Sequence, residues 1–287
     1  MEGKTISRKA YAKINLGLDV VRRLPNGYHE VRMIMQTVGI CDILTFAKAS
    51  SGIHLQVDNQ ELPADANNLI YKAAKLLMDT AGITEGVRIT LEKHIPIAAG
   101  MAGGSTDAAA TFWGLNDLFE LGYSMEQLKE LGVRIGADVP YCIQGGTALA
   151  EGIGEVLSEL PAPPRCHLVI AKPDINVSTK FVYENLKANE LKKHPDIDGM
   201  IEAIRSSSLK GITDRLANVL ETVTIPAYPI IRDIKDQMLA CGAENALMSG
   251  SGPTVFGIFT DLDKALAAAD MIKNRELARE IFVTEFH

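Results

Sequence analysis

Pro96-Ile97-Ala98-Ala99-Gly100-Met101-Ala102-Gly103-Gly104-Ser105-Thr106 is the stretch on which the reading of this chain turns. It follows a strand signal that ends near Ile95 and runs directly into a helical pattern, Asp107 to Phe119. Gly100, Gly103 and Gly104 let the backbone approach a ligand closely or take positive φ. Ser105 or Thr106 is expected to cap the helix, whose free N–H groups and positive dipole end then face the loop. Strand, glycine loop and helix N-terminus together make a cradle for an anion, and phosphate is the anion that suits it. A tight turn packing helix against strand is the bland alternative. The loop is neither a Walker A, since no Gly-Lys-Ser/Thr follows, nor a G-x-G-x-x-G dinucleotide fingerprint. A phosphate loop without its own lysine must find a cation elsewhere, and Lys13 or a divalent metal are the candidates.

Working outward toward the N-terminus, Ile14, Leu16, Leu18 and Val20 alternate with Lys13, Asn15, Gly17 and Asp19, a strand with period two. That places Lys13 and Asn15 on one polar face, pointing the same way. Pro25-Asn26-Gly27 is a turn, after which Tyr28-His29 leads into a second strand through Val31, Met33 and Met35. Further strands are expected near 43–48, 53–57 and 87–95, with a helix from Asn68 to Thr80 stopped by Gly82.

Toward the C-terminus, Ser124 with Gln127 three residues on forms a capping box for a helix ending near Gly136. Gly136-Ala137-Asp138-Val139-Pro140 then reads as a loop feeding a strand over 141–150. An aspartate there either bonds its own turn or does chemistry. Pro161-Ala162-Pro163-Pro164 is the boundary candidate, dividing the chain into domains 1–160 and 165–287. Beyond it the pattern predicts a strand at 167–172, helices near 180–187, 199–206 and 214–222, and a helix begun by Pro229. A strand (245–248), a strand (254–259), a helix (262–273) and a strand (281–286) close the chain, a split βαβ half of ferredoxin-like type. Strands followed by helices without regular alternation give an α+β class. Ser249-Gly250-Ser251-Gly252-Pro253 is either a hairpin connection or the wall of a site.

The 287 residues, 47% hydrophobic and 23% charged, exclude disorder, collagen and coiled coil as descriptions of the chain. A net charge of −7 speaks against a broad basic face and so against nucleic acid as a partner, while leaving anion binding by backbone open. Four scattered cysteines suggest neither zinc nor disulfides. The absence of a signal peptide and of a long apolar run points to a soluble, cytoplasmic protein with no membrane partner. The histidines lack metal-ligand spacing and no G-x-S-x-G occurs.

Three segments together resemble the GHMP kinase superfamily of galacto-, homoserine, mevalonate and phosphomevalonate kinases: A-Y-A-K-I-N-L-G-L-D, P-I-A-A-G-M-A-G-G-S-T-D-A-A-A and L-M-S-G-S-G-P-T-V-F-G. P-N-G-Y-H-E-V, G-A-D-V-P and G-G-T-A-L-A-E-G-I-G-E are similar to the branch of that superfamily acting on a cytidine diphosphate alcohol. Met101-Ala102 stands where Leu-Gly is commoner, Thr106 where Ser is, and Tyr11 where a small residue or proline is usual.

The resemblance implies a two-domain GHMP kinase fold: an N-terminal domain like the second domain of ribosomal protein S5 and a ferredoxin-like C-terminal domain. It implies ATP as phosphoryl donor, bound by residues 96–106, with Mg2+ and Ser105 as the hydroxyl near the metal. Lys13 and Asp138 would be the catalytic pair, Asp138 as general base and Lys13 as orienting cation. Asn15, Tyr28, His29, Thr179 and Tyr183 would contact the substrate, with His29 reading the base edge through one donor and one acceptor nitrogen. The implied acceptor is the 2-hydroxyl of a diphosphocytidyl-methylerythritol in the non-mevalonate route to isoprenoid precursors. The rivals are a mevalonate- or homoserine-type kinase and a non-catalytic nucleotide-binding regulator. A monomer or weak homodimer is expected.

Overall fold

Two long strands, β1 (Thr5–Arg23) and β2 (His29–Ala49), pair with each other in a computed structural model that describes residues 4–25 and 27–287. Asn26, at the centre of the expected turn, and the first three residues lie outside the described residues. The chain continues through β3 (Ile53–Val57), α1 (Leu69–Ala81), β4 (Gly86–Glu92), α2 (Gly103–Leu118), α3 (Met125–Val133), α4 (Val139–Gln144), β5 (Thr147–Glu151) and β6 (Val156–Leu160). Then come β7 (His167–Lys172), α5 (Thr179–Asn185), α6 (Ile197–Arg205), α7 (Leu209–Thr213) and β8 (Ala217–Asn218). Last are α8 (Glu221–Ala227), α9 (Ile230–Ala240), β9 (Asn245–Met248), β10 (Val255–Phe259), α10 (Leu262–Asn274) and β11 (Glu280–Glu285).

The chain forms two compact units. One holds residues 4–12, 40–95 and 102–145; the other holds 13–39, 96–101 and 146–287. Prolines 161, 163 and 164 lie in irregular chain between β6 and β7. β1 and β2, at 19 and 21 residues, each contribute residues to both units.

In the first unit, residues 43–49 of β2 pair antiparallel with β4, which pairs parallel with β3. Helices α1 and α2 pack on each other, and the core gathers Leu44, Phe46, Leu77, Ile89, Phe112 and Leu115. Asn68 caps α1 by accepting from the Ile70 N–H, and Gly82 ends it at φ 66°. The Ser124–Gln127 capping box of α3 is formed in both directions. The expected strand over 141–150 does not form as one element. Val139–Gln144 is helix α4, because Pro140 in a first turn costs no hydrogen bond and presets φ. Gly145 and Gly146, at φ 72° and 73°, then turn the chain into β5.

In the second unit, an antiparallel sheet runs β11-β7-β10-β9, with α9 and α10 packed against it. This is the split βαβ order expected from the sequence. The same unit pairs residues 33–36 of β2 with β5, β5 with β6, and Gly17–Leu18 of β1 with β8. The helix expected over 214–222 is absent. Asn218 accepts from the Leu220 N–H at 2.9 Å, a local bond that offers the backbone an alternative to helix. The alternation along β1 is real, but residues 12–20 are all buried, so its polar face is interior.

Candidate functional site

β4 stops at Glu92, and residues 93–102 are irregular before α2 begins. Residues 96–101 of this loop belong to the second unit. There Gly100 has φ +70°, and a Cβ on it would lie 2.3 Å from the Ser249 carbonyl oxygen. No side chain fits, because the turn 249–253 packs directly on the loop as well as joining β9 to β10. Ser249 Oγ donates to the Gly100 carbonyl at 3.0 Å. Lys13 Nζ donates to the same carbonyl at 3.4 Å and to Asn15 Oδ1 at 2.8 Å, while the Lys13 N–H donates to the Met101 carbonyl at 3.2 Å. Lys13 is 5% exposed, and a buried ammonium requires such polar partners. The period-two reading of Lys13 and Asn15 thus holds as a direct contact.

Residues 102–106 belong to the first unit. α2 starts at Gly103, earlier than expected, with Ala102 at its N-cap in the left-handed region and no side-chain cap. Ser105 and Thr106 are therefore first-turn residues and not caps. Thr106 Oγ1 donates to the Tyr11 backbone carbonyl at 2.7 Å, joining two of the three positions that depart from the resembled pattern. No side chain caps the first turn, so its N–H groups are not taken up by a capping oxygen. Of the three glycines only Gly100 takes positive φ; Gly104 is exposed, and a Cβ on Gly103 would lie 3.0 Å from Lys93 Nζ.

The sequence reading missed the charges at the root of this loop. Lys93 Nζ, almost fully buried, donates to Asp42 Oδ2 at 2.5 Å and to Asp107 Oδ2 at 2.8 Å. Asp42 Oδ1 accepts from the N–H groups of His94 and Ile95 at 2.6 and 2.7 Å, fixing the path into Pro96. Burial, reinforced by Asp42, pushes the Asp107 carboxyl up to about 8 against the pull of Lys93. Its Oδ1 is buried without a hydrogen-bond partner. Burial lowers Lys93, but attraction to Asp107 and Asp42 outweighs it and the net shift is upward. The available signal was Asp42 itself, a carboxylate inside an apolar strand run.

Asp138 sits half-buried at the N-cap of α4, with φ −81° and ψ −14°. Its side chain makes no capping bond, unlike those of Asn68, Ser124, Ser178, Asp196, Ser208 and Asp261. It belongs to the first unit and Lys13 to the second. In the second unit the His29 and Tyr183 rings lie 5.2 Å apart, tilted by 40°. Burial, with Arg23 adding repulsion, lowers the His29 pKa below its ordinary value and favours the neutral ring at pH 7. Tyr183 is half-buried and Tyr28 is 59% exposed. Thr179 Oγ1 and Ser251 Oγ are 2.8 Å apart, joining the start of α5 to the glycine turn.

Among the described residues no group of three His, Cys, Asp or Glu is placed to hold a metal ion, and no helix is long and apolar enough to cross a membrane.

Two family models match the chain: the GHMP kinases N terminal domain over residues 68–146 and the GHMP kinases C terminal domain over 190–278. A protein of Lachnospira eligens named 4-diphosphocytidyl-2-C-methyl-D-erythritol kinase is 52% identical over 283 residues, 98% of each chain. One of Lachnoclostridium phytofermentans with the same name is 54% identical over 282 residues, 98% of this chain and 97% of its own. A crystal structure of 4-(cytidine 5'-diphospho)-2C-methyl-D-erythritol kinase superposes with a TM-score of 0.84 at 33% identity, covering 98% of this chain and 99% of that one.

Proposed function

Because the chain belongs to the GHMP kinases and is thereby an ATP-dependent kinase of small molecules, we propose that its acceptor is 4-diphosphocytidyl-2-C-methyl-D-erythritol, phosphorylated at the 2-hydroxyl. The observation that carries this reading is the identity of about half of all residues, over nearly the whole chain, with relatives of that name. The His29–Tyr183 ring pair is its counterpart in the site. The neutral imidazole offers one donor and one acceptor to the cytosine edge. The tyrosine offers a face for stacking, worth ~1–3 kcal/mol per base. Asn15, Tyr28 and Thr179 complete the substrate side.

Phosphoryl transfer asks a protein for positioning and charge stabilisation. The backbone N–H groups of residues 96–106 hold the ATP phosphates. The acceptor oxygen bonds to the γ-phosphorus as the bond to the β–γ bridging oxygen breaks, and ADP leaves. The proton of the alcohol goes to Asp138, the general base, while Lys13 orients the incoming oxygen and offsets its developing charge. Ser105, half-buried in the first turn of α2, is the hydroxyl suited to Mg2+, a hard cation that takes most of its oxygens from phosphates and water. When bound, Mg2+ neutralises phosphate charge. The protein works in the cytoplasm as a monomer or weak homodimer.

The test is a coupled ADP-release assay with diphosphocytidyl-methylerythritol, mevalonate and homoserine offered in parallel. ADP release with the first alone is expected, and release with mevalonate or homoserine alone would replace the acceptor. His29→Ala and Tyr183→Ala should each raise the KM for the cytidine substrate by about tenfold while the KM for ATP hardly moves.

A further inference from the structure

We propose that Asn218 is a positioning residue for the phosphate-binding loop, acting through the glycine turn 249–253; the inference rests on the reading of residues 96–101 as part of the nucleotide site. Asn218 belongs to none of the motifs visible in the sequence. It is 6% exposed, and its Nδ2 donates to two carbonyls, those of Met248 and Gly250, both at 2.8 Å. Its Oδ1 accepts from the Leu220 N–H at 2.9 Å. Only one orientation of the amide satisfies this site, because a flipped amide would set its oxygen against two carbonyl oxygens.

Two neighbours grip the same turn. Glu221 Oε1 accepts from the Met248 N–H at 2.9 Å while its carboxylate is paired with Lys235 at 2.7 Å. Thr224 Oγ1 donates to the Ser251 carbonyl at 3.2 Å. The segment holding them is itself anchored by parallel pairing of β8 with Gly17 and Leu18, on the strand that carries Lys13 and Asn15.

On its other side the turn meets the loop. Ser249 Oγ donates to the Gly100 carbonyl, and a Cβ on Gly250 would lie 3.1 Å from that same oxygen. The Gly100 carbonyl is also the acceptor for Lys13 Nζ. Hydrogen bonds joined through the backbone of the turn therefore link Asn218 to Gly100 and on to Lys13. Displacing the turn moves the Gly100 carbonyl, the peptide geometry of the loop and the resting place of the lysine ammonium together.

A merely structural asparagine would lower thermal stability and leave the folded protein's nucleotide affinity alone. Asn245 supplies the control, since its Nδ2 donates to the Thr213 carbonyl at 2.7 Å and its Oδ1 accepts from the Ala246 N–H, at the end of β9 away from the turn. The experiment titrates a non-hydrolysable ATP analogue calorimetrically into the wild type, Asn218→Ala, Ser249→Ala, the double variant and Asn245→Ala, with a melting curve for each. Asn218→Ala is expected to weaken the analogue by about tenfold, a change of ~1.4 kcal/mol. Asn245→Ala, with a similar loss in Tm, leaves affinity unchanged. The double variant should bind no more weakly than the worse single one, because both substitutions cut one chain of bonds. If Asn218→Ala does not fold, Asn218→Ser, which keeps one donor, must show the same direction with a smaller loss. Wild-type affinity in folded Asn218 variants, additive effects in the double variant, or an equal loss in Asn245→Ala would each overturn the proposal. A wild type that binds no analogue would overturn the nucleotide-site reading first, and the proposal with it.

Discussion

Gly100 and Ala102 lie two residues apart in one loop, both in the left-handed region at φ +70° and +58°, yet only one is glycine. At Gly100 the demand is steric: a Cβ would lie 2.3 Å from a backbone oxygen of the turn 249–253, which has no flexible end to move aside. At Ala102 the demand is conformational, and the left-handed backbone costs an alanine roughly 1–2 kcal/mol. The half of the loop in the second unit is shaped by a distant turn pressed against it. The half in the first unit is shaped by the start of a helix that makes no such requirement. A glycine in a motif can thus be indispensable or replaceable, and its position in the motif does not tell which.

Asp138→Asn sets the scale for that comparison, because it removes a chemical group and leaves both halves of the loop intact. Turnover is expected to fall by roughly 10²–10⁴ with ATP binding retained. Single-turnover kinetics beside nucleotide titration would measure this, and a wild-type rate would reduce Asp138 to a turn residue.

Gly100→Ala should come next. Positive φ and the clash with Ser249 together amount to about 3 kcal/mol, a loss of roughly a hundredfold in kcat/KM for ATP. A variant indistinguishable from wild type would break the distinction between the two positions.

A third test belongs to the half in the first unit. With its folded pKa raised to about 8, Asp107 takes up a proton on folding wherever the unfolded chain has lost it. Its contribution is fully present below the ordinary carboxylate value near pH ~4 and is lost as pH rises toward the folded value. Stability should therefore decline across that window with a slope of up to about one proton, and Asp107→Asn should flatten it. Urea unfolding at several pH values reads the slope directly; an unchanged slope in the variant would assign it to other groups.

The smallest effect is expected from Ala102→Gly. Relief of the left-handed strain is partly offset by the greater freedom of glycine in the unfolded chain, so a net gain below about 1 kcal/mol is expected. Nucleotide affinity should not change. A destabilised variant would show that the Ala102 methyl group packs more usefully than its backbone suffers.

The ends of α1 at Asn68 and Gly82, the capping box of Ser124 and Gln127, the shared face of Lys13 and Asn15, and the ferredoxin-like order of the last strands were all legible in the amino-acid sequence. Each rests on periodicity, or on bonds between residues two to four apart, which a sequence displays in place. Tertiary structure decided the rest. At the break near 214–222 the local bond from the Leu220 N–H to Asn218 is backed by the carbonyls of Met248 and Gly250, 30 and 32 residues further on, which the same amide reaches. The grip of Lys93 on Asp42 spans 51 residues, and that of Ser249 on Gly100 spans 149. Contacts of that separation leave no local pattern, because either partner alone looks like an ordinary strand aspartate or a turn serine. Only closure of the chain brings each to the acceptor or donor that gives it a role.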